Sequence, residues 1–264
     1  MAEAPIIDPA ILQTEWPVDL HDTLDSTSAE AHRRAAEGLT GPRWFVAREQ
    51  TQGRGRLGRN WTSPQGNLFA TALLPLKTLG PDVPALALSV GLAVVDTIDL
   101  LSENRVQAGL KWPNDVRVDG AKICGILLES GRTASRDYWL SMGIGLNLAH
   151  SPDLPNYRTT NLAMETGFQI PVETAIEALD RSVRNRLKQQ IHSGRAAIID
   201  DWMAVTDQKG ELCRATYQGK VIEGRFVGLD AFGQLMLKPA DQETITITAG
   251  DVDLVRDQGN AARN

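Results

Sequence analysis

The sequence predicts an α+β chain that ends in a small β-barrel, and three observations support this fold class. The dipeptide Asp119-Gly120 lies between two β-like runs and is typical of an antiparallel hairpin. Residues 83–101 are apolar on nearly every side, which predicts a helix packed on both faces. After Lys209-Gly210, short β-like runs alternate with glycines, a spacing that predicts a barrel of roughly 50 residues.

The N-terminal elements follow from local signals. Residues 17–24 predict a strand, and the helix-forming run from Ala29 to Glu37 ends at Gly38. Thr27 is followed by Glu30 at the spacing of a capping box, which predicts the start of this helix.

Further along the chain, apolar runs predict strands and apolar residues at helical spacing predict helices. The strands are Trp44–Ala47, Asn67–Leu74, Ala121–Glu129 and Trp139–Asn147, with a loop at Pro152–Arg158. One helix contains Ile176, Leu179, Val183, Leu187 and Ile191, and a shorter one contains Trp202. The barrel strands are Leu212–Tyr217, Val221–Val227, Gln234–Lys238 and Thr244–Thr248. We place a boundary near 205–210, which divides the chain into domains 1–207 and 208–264.

The composition excludes several classes of protein. The chain has 264 residues, a net charge of −6 and a pI near 5.3, so we expect no nucleic acid partner, because such partners require a basic face. Cys124 and Cys213 are too few for a disulfide framework or a metal site, and they indicate a cytoplasmic protein. The N-terminus lacks a signal-peptide pattern, and the apolar run from Pro84 to Val95 is too short to span a membrane.

The most informative stretch is Gly53-Arg54-Gly55-Arg56-Leu57-Gly58-Arg59, in which glycines alternate with arginines. Its G-x-G-x-x-G spacing matches a dinucleotide-binding turn, but that turn opens a helix and precedes an acidic residue by about 20 positions. Here Asn60 through Gly66 continue as loop, and Pro75 through Thr78 contain no carboxylate. We therefore interpret the stretch as a cationic loop that binds a small anion, with a solvated basic loop as the simpler alternative.

Three other segments carry candidate chemistry. The segment Lys111-Trp112-Pro113-Asn114-Asp115 is typical of a turn, and its end charges could equally form a surface ion pair of little energy. Lys122 follows the hairpin turn and would ordinarily be solvated, but antiparallel pairing would return it toward Asp115. Gly143 through Asn147 places glycines in a strand, which indicates either close approach of a ligand or tight packing under a helix.

Taken together and in this order, these segments resemble the catalytic domain of biotin protein ligases. The stretches that carry the resemblance are Asp25-Ser26-Thr27-Ser28, Gln50 through Trp61, Ser63-Pro64, Lys111 through Asp115, Lys122 through Gly125 and Gly143 through Asn147. The resemblance implies a mixed, mainly antiparallel sheet packed with helices, as in class II aminoacyl-tRNA synthetases, and an SH3-like C-terminal barrel. At position 57 this sequence has leucine, where some members of the family carry another arginine. Cys124 stands where alanine is frequent, and we expect it to be a core residue.

The resemblance implies a reaction in two halves. Biotin and ATP form biotinyl-5′-AMP and pyrophosphate, and a lysine of the biotin carboxyl carrier domain of a carboxylase, such as acetyl-CoA carboxylase, then displaces AMP. The first half brings two anions together, so it requires cations where charge accumulates. Magnesium would bridge the phosphates of ATP, held largely by substrate oxygens and water rather than by protein ligands.

By the same resemblance, each candidate site residue has a role. The catalytic residues would be Lys122, Arg56, Asp115 and Lys111. Lys122 would contact the biotin carboxylate and the α-phosphate, and Asp115 would orient or deprotonate the acceptor lysine. Biotin would be bound by Ser26, Thr27, Ser28, Gln50, Arg54, Gly55, Arg56, Lys122 and Gly125. The nucleotide would be bound by Arg56, Arg59, Trp61, Lys111, Asn114 and Asn147.

Three alternatives differ in features that the sequence contains. A lipoate or octanoate protein ligase of the same fold should lack the combination of the glycine-arginine loop with Lys111 through Asp115. A biotin-responsive repressor would require a DNA-binding domain, for which residues 1–24 are too few. A protein that only binds biotin would have no use for Lys111, Asp115 and Lys122 together. The sequence leaves open whether the protein is a monomer or a homodimer.

The glycine-arginine loop also carries a dynamic prediction. Glycine-rich chain loses much conformational entropy when it becomes ordered. We therefore expect residues 52–60 to be mobile without ligand and ordered over the adenylate.

Overall fold

The structure is a computed structural model that describes residues 6–39, 41–79, 83–154, 157–217, 219–248 and 251–254. Within these residues, the larger sheet contains the strands β1 (Val18–Leu24), β2 (Arg43–Gln50), β3 (Leu68–Leu76), β4 (Ala108–Lys111), β5 (Asp115–Val118), β6 (Ala121–Arg132) and β7 (Tyr138–Leu146). Their order is β1-β2-β3-β7-β6-β5-β4. β1 and β2 run parallel and the other neighbouring pairs run antiparallel. The predicted mixed, mainly antiparallel sheet is therefore confirmed.

The predicted hairpin joins β5 to β6 through Asp119 and Gly120, whose φ angles are 48° and 79°. Positive φ at both central residues is the conformation that makes Asp-Gly favourable in two-residue hairpins. The pairing places Arg117 opposite Lys122, with a register shift between Val116 and Arg117. Asp115 lies two residues before Arg117, so it shares a face of the sheet with Lys122.

Helices cover both faces of this sheet. They are α1 (Thr27–Ala36), α2 (Val83–Leu101), α3 (Leu162–Thr166) and α4 (Val172–Val205). Alternate residues of β2 divide between two apolar clusters: Trp44 belongs to the main core with residues of α2 and α4, whereas Phe45 packs with Ala31 and Ala35 of α1. The face that carries α1 also carries the site described below.

The predicted capping box at the start of α1 is wrong. The N-cap residue is Ser26, and its side chain makes no capping hydrogen bond. The Thr27 hydroxyl donates instead to Gln50 Oε1 at 3.2 Å, and the Glu30 carboxylate accepts from Arg33. Hydrogen bonds to other residues replace the local capping hydrogen bonds, so the side chains of this turn do more than cap the helix.

The two predicted helices around Ile176 and Trp202 are two parts of α4. Gly194 lies between them with φ 78° and ψ 173°, a backbone conformation that interrupts the helix. Glycine adopts this region without the steric penalty that a Cβ would bring.

The C-terminal strands are β8 (Leu212–Tyr217), β9 (Lys220–Leu229), β10 (Leu235–Lys238), β11 (Ile245–Ile247) and β12 (Asp251–Leu254). They form an antiparallel sheet in the order β11-β10-β9-β8-β12, and only β12 was not predicted. The prediction of a small all-β C-terminal unit is confirmed, while closure into a barrel stays a prediction. No helix of the described residues is long and apolar enough to cross a membrane.

The two sheets share a continuous core. The ring centroids of Trp202 and Phe226 lie 6.3 Å apart, and Trp112 Nε1 donates to the carbonyl of Gly233 at 3.1 Å. The boundary that we place near 205–210 falls between α4 and β8. We propose it as the limit of the two domains, although their cores are packed together.

Candidate active site

A cleft of about 2100 Å³ opens on the face of the larger sheet that carries α1. It gathers candidate residues from segments far apart in the chain. These are Thr27, Ser28, Gln50, Arg54, Gly55, Arg56, Arg59, Trp61, Lys111, Asn114, Asp115, Lys122, Gly125 and Asn147. Of the predicted site residues, Ser26 alone is outside the lining of the cleft; it is buried at the N-cap of α1.

Four side chains in the cleft form a continuous polar chain. Lys122 Nζ lies 2.5 Å from Asp115 Oδ1, which makes an ion pair. The other carboxylate oxygen, Asp115 Oδ2, accepts a hydrogen bond from the Tyr157 hydroxyl at 2.9 Å. Lys111 Nζ donates to the same hydroxyl at 2.5 Å. The predicted meeting of Lys122 and Asp115 is therefore found, and Tyr157 joins Lys111 to them.

Asp115 is ionised although it is buried. Burial alone would raise the pKa of this carboxyl, but the charges of Lys122 and Lys111 and the hydrogen bonds from Lys122 and Tyr157 outweigh that effect. The pKa of Asp115 consequently lies below its ordinary value. A carboxylate of lowered pKa stays charged at neutral pH, so it still accepts charge-assisted hydrogen bonds, but it is a weak base.

The glycine-arginine loop folds back on itself at the edge of the cleft. Arg54 and Asn60 form an isolated antiparallel bridge, and Gly55 N donates to the carbonyl of Arg59 at 2.8 Å. A short 3₁₀ turn spans Arg56–Gly58, with Leu57 exposed at a φ of 55°. The described residues that follow reach β3 without an α-helix, in agreement with the rejection of a dinucleotide-binding turn.

Arg56 connects this loop to the segment between β4 and β5. Its Nη1 donates to Asn114 Oδ1 at 3.0 Å, and Asn114 Nδ2 donates in turn to the carbonyl of Ile126 at 2.7 Å. Burial lowers the pKa of Arg56, and the charge of Asp115 partly counters this effect. Arg56 nevertheless remains a cation at neutral pH. The loop thus places a fixed positive charge beside the Lys122–Asp115 pair.

Trp61 packs on two glycines that have no room for a side chain. A Cβ at Gly145 would lie 2.6 Å from Trp61 Nε1, and a Cβ at Gly125 would lie 2.9 Å from the same ring. Lys122 Nζ lies 5.3 Å from the centroid of that ring, within the range of a cation–π contact. Gly145 and Gly125 therefore allow the close approach of an aromatic side chain. The predicted tight packing under a helix is found at Gly143, next to Ser28 of α1, and the approach of a ligand to this strand stays a prediction.

A second polar cluster lies at the start of α1. Gln50 Oε1 accepts from the backbone N–H of Thr27 at 2.8 Å, and Gln50 Nε2 donates to Ser63 Oγ at 2.8 Å. Thr71 Oγ1 lies 2.8 Å from Thr27 Oγ1 and 3.3 Å from Ser28 Oγ. This arrangement presents neutral donors and acceptors beside the apolar sheet, a combination that suits an uncharged polar ligand group.

Asn147 directly follows β7 and lines the cleft, although most of its surface is buried. Its Nδ2 donates to the carbonyl of Thr160 at 3.0 Å, while its backbone N–H donates to Ile123. Asn147 thus holds two segments together: its side chain bonds to the segment that contains Thr160, and its backbone bonds to the strand that carries Lys122.

Three residues of this region were not predicted from the sequence. Tyr157 lies in the predicted loop Pro152–Arg158, where one aromatic residue in a polar stretch was the only signal. Arg117 faces the cleft and its Nε donates to Asp207 Oδ2 at 2.9 Å. Gln208 is fully buried, and its Oε1 accepts from the backbone N–H of Trp112 at 2.6 Å. These contacts join residues more than 40 positions apart, so spacing could not predict them.

Cys124 is a core residue, as expected. It is fully buried, and burial raises the pKa of its thiol far above the ordinary range. The thiolate that nucleophilic chemistry requires is therefore not available at this position.

Comparison with known proteins agrees with this arrangement. Residues 22–147 match the biotin/lipoate A/B protein ligase family, and residues 210–255 match the biotin protein ligase C-terminal domain. A biotin–[acetyl-CoA-carboxylase] ligase from Paracoccus denitrificans is 36% identical over 229 residues, which cover 84% of this chain and 94% of the relative. The corresponding ligase from Mycobacterium tuberculosis is 31% identical, with 86% and 85% covered.

Solved structures of similar fold include ligand complexes. The biotin protein ligase from Aquifex aeolicus in complex with biotin and ATP superposes with a TM-score of 0.75 at 27% identity, covering 90% of this chain and 98% of that one. The Leishmania major enzyme in complex with biotinyl-5-AMP gives 0.63 at 27% identity, with 88% and 99% covered. Sequence and fold, together with a cleft that contains the expected side chains, show that the chain belongs to the biotin protein ligase family.

Proposed function

We propose that this protein is an ATP-dependent biotin protein ligase that forms biotinyl-5′-AMP and transfers biotin to a lysine of the biotin carboxyl carrier domain of a carboxylase. This proposal rests on one observation: an ion pair and two hydrogen bonds connect Lys122, Asp115, Tyr157 and Lys111, and Arg56 lines the same cleft. Relatives that bear this activity in their names cover most of the chain. Acetyl-CoA carboxylase is the acceptor enzyme in those names.

The first half-reaction joins two anions, and the cleft supplies the cations that this requires. A biotin carboxylate oxygen attacks the α-phosphorus of ATP, and the bond to pyrophosphate breaks. Lys122, Arg56 and Lys111 surround one region of the cleft, where their charges can stabilise negative charge on the phosphorus oxygens. Arg54 and Arg59 flank them on the exposed loop and are assigned to biotin and the nucleotide respectively.

The polar cluster at the start of α1 suits the ureido end of biotin. Thr27, Ser28 and Gln50 offer neutral donors and acceptors, and Gly143 allows α1 to approach the sheet closely. A Cβ at Gly143 would lie 2.9 Å from Ser28 Oγ. Ser26 is buried outside the cleft lining at the N-cap of α1, so we assign it to the positioning of Thr27 and Ser28 rather than to contact with biotin.

The adenosine part of the ligand would extend toward Trp61, Asn114 and Asn147. Trp61 Nε1 is buried and has no hydrogen-bond partner among the described residues. Because this atom packs against Gly145, a ligand would meet the Trp61 ring on its cleft side rather than bond to Nε1.

In the second half-reaction the neutral acceptor amine attacks the acyl carbon of biotinyl-5′-AMP and the bond to the AMP phosphate oxygen breaks. The protons that the acceptor lysine loses pass to water or to the departing AMP. Asp115 lies where a carboxylate could receive the acceptor ammonium. Because the pKa of Asp115 is lowered, we assign it the orientation of the amine by a charge-assisted hydrogen bond rather than its deprotonation.

The donor set of the cleft does not fit a protein-built metal site. In the part of the chain that the structure describes, no group of three or more His, Cys, Asp or Glu side chains could hold a metal ion. Asp115 is already engaged by Lys122 and Tyr157. We propose that magnesium enters as part of the ATP complex, with phosphate oxygens and water as its ligands.

The glycine-arginine loop is proposed as a lid over the adenylate. Arg56 already spans from the loop to Asn114 across the cleft. Ordering residues 52–60 over the ligand would exclude water, which would otherwise hydrolyse the mixed anhydride. Hydrogen exchange of this loop with and without biotinyl-5′-AMP tests the proposal: protection should rise with the ligand, and equal protection would refute the lid.

Three further expectations remain part of the proposal. The acidic net charge supports a protein without a nucleic acid partner. The use of two unpaired cysteines supports a cytoplasmic location. Both monomer and homodimer are compatible with the proposed chemistry, and light scattering would distinguish them.

The decisive experiment measures the mass of an apo carrier domain after incubation with the protein, ATP, magnesium and a free acid. Biotin should add its mass to the carrier, while lipoate and octanoate should not. Transfer of lipoate or octanoate without transfer of biotin would instead identify the protein as a lipoate or octanoate ligase. A carrier whose acceptor lysine is replaced by arginine serves as the control and should remain unmodified.

A further inference from the structure

Tyr157 occupies a central place in the cleft, but the proposed function gives its side chain no separate role. Its hydroxyl accepts from Lys111 Nζ at 2.5 Å and donates to Asp115 Oδ2 at 2.9 Å. Its ring lies 4.8 Å from Lys111 Nζ and 5.7 Å from Lys122 Nζ, measured to the centroid. One side chain therefore contacts all three charged groups of the Lys122–Asp115–Lys111 cluster.

The segment that carries Tyr157 is fixed to the strand of Lys122 by backbone hydrogen bonds. Lys122 N donates to the carbonyl of Arg158 at 2.7 Å, and Thr160 N donates to the carbonyl of Lys122 at 3.0 Å. Arg158 also donates from Nη1 to the carbonyl of Asp119 in the hairpin turn. The position of the Tyr157 hydroxyl is consequently tied to the same backbone that positions the Lys122 ammonium.

The ion pair between Lys122 and Asp115 presents a problem for catalysis. The two side chains are only 18% and 12% exposed, and Lys122 must turn from Asp115 toward the phosphate and carboxylate of the reactants. A buried carboxylate that loses its counter-ion is costly unless other groups stabilise it. Tyr157 and Lys111 are the groups placed to do so, because Asp115 Oδ2 already accepts from the tyrosine.

We propose that Tyr157 is a positioning residue that keeps Asp115 an ionised, oriented carboxylate when Lys122 turns to the reactants. This proposal rests on the biotin ligase function above. The hydroxyl acts through Asp115 and Lys111 rather than by bonding to the reacting atoms. Its hydrogen bond favours the charged form of Asp115, and the lysines and the more distant Arg56 add their charges. Cys124 on β6 is buried and neutral beside them.

The sign of the expected pH effect follows from these contacts. Removing the hydroxyl removes one of the interactions that lower the pKa of Asp115, whereas burial continues to raise it. The pKa of Asp115 should therefore rise in Tyr157→Phe. The acidic limb of the pH–rate profile for transfer from biotinyl-5′-AMP to the carrier should therefore shift to higher pH.

The experiment measures the two half-reactions separately in Tyr157→Phe, which keeps the ring and its contacts with the lysines. Pyrophosphate release without carrier reports adenylate formation, and single-turnover transfer from preformed biotinyl-5′-AMP reports the second half. We expect kcat for adenylate formation to fall about tenfold, with less than about threefold change in KM for ATP or biotin. Single-turnover transfer should fall by a similar factor at neutral pH, and its acidic limb should move upward.

Tyr138→Phe is the matched control, since the Tyr138 hydroxyl bonds to exposed Arg132 and Tyr138 does not line the cleft. It should retain the rates and the pH profile of the parent protein. Thermal unfolding of both variants checks that the fold is preserved. An unmoved acidic limb in Tyr157→Phe would overturn the proposal even if the rate fell, because a purely structural effect lowers the rate at every pH. Failure of the parent protein to transfer biotin would instead refute the proposed function itself.

Discussion

The ammonium of Lys122 and the carboxylate of Asp115 form an ion pair of 2.5 Å in the cleft. The two residues are on adjacent strands and share one face of the sheet, with a register shift between them. Both side chains are largely buried, where an isolated charge would be unfavourable, so each stabilises the other. Binding of the reactants at Lys122 is therefore coupled to the environment of Asp115.

The first prediction concerns Lys122 itself. Lys122→Ala should lower the rate of adenylate formation by at least about 10²-fold, because a charge that stabilises the developing anion is removed. Biotin-dependent release of pyrophosphate measures the effect. Lys77→Ala, which removes a half-exposed lysine near Asp8 outside the cleft lining, should leave the rate unchanged. Full activity in Lys122→Ala would show that the catalytic role of this lysine is wrongly assigned.

Arg56 should determine how long the adenylate stays bound. Arg56→Gly removes the side chain that reaches from the loop to Asn114, so biotinyl-5′-AMP should form but leave the site faster, by roughly tenfold or more. The measurement is the dissociation rate of preformed adenylate in a rapid chase.

Leu57→Gly is the matched control for this loop. Leu57 is 76% exposed and its φ of 55° is a conformation that glycine adopts readily, so the variant changes flexibility without removing charge. Its adenylate should dissociate nearly as slowly as that of the parent. Equal retention in Arg56→Gly and the parent would count against the clamp.

The packing of Trp61 on β7 gives a prediction about stability and binding together. In Gly145→Ala the new Cβ would lie 2.6 Å from Trp61 Nε1, and such overpacking costs about 1–3 kcal/mol or displaces the ring. We expect a lower melting temperature and weaker ATP binding, measured by calorimetry.

Two further variants test this explanation of the Gly145→Ala effect. Gly41→Ala should be neutral, because no atom lies within 4 Å of a Cβ at that position. In a double-mutant cycle, Trp61→Leu should remove most of the stability cost of Gly145→Ala, since the conflicting ring is absent. A cost that persists in the double mutant would place the conflict elsewhere.

The contact between Gln208 and the segment from Lys111 to Asp115 predicts a role for the region between the two sheets. Gln208→Ala leaves the buried N–H of Trp112 without its acceptor, which costs about 1–3 kcal/mol. Urea unfolding should show this loss, and the rate of adenylate formation should fall with it because Lys111 and Asp115 flank the disturbed segment. Gln13→Ala, at an exposed position, is the control; a Gln208→Ala variant as stable and active as this control would refute the coupling.

The elements that could be predicted from the sequence are those with local signals. The hairpin at Asp119-Gly120 follows from turn chemistry, and antiparallel pairing across that turn is sufficient to predict that Lys122 lies near Asp115. The same logic failed at the start of α1, where Thr27 and Glu30 match a capping box but bind partners elsewhere. Local rules are overridden there because longer-range hydrogen bonds compete for the same side chains.

The remaining parts of the site could not be predicted because their contacts cross the fold. Tyr157 lies in a loop without periodicity, 42 positions from Asp115, and nothing in its neighbourhood indicates a partner. The bond from Trp112 to Gln208 spans 96 positions and depends on how the two sheets pack. The strand β12 was missed for a related reason, since its assignment depends on pairing with β8 rather than on a distinct local pattern.

Adenylate formation by the parent protein is tested most directly by a single-turnover measurement with ATP, magnesium and biotin, without any carrier. We expect pyrophosphate to be released only when biotin is present, at one mole per mole of protein, and biotinyl-5′-AMP to remain bound until carrier is added. Release of pyrophosphate that does not depend on biotin, or bound biotin without any adenylate, would show that the protein does not activate biotin.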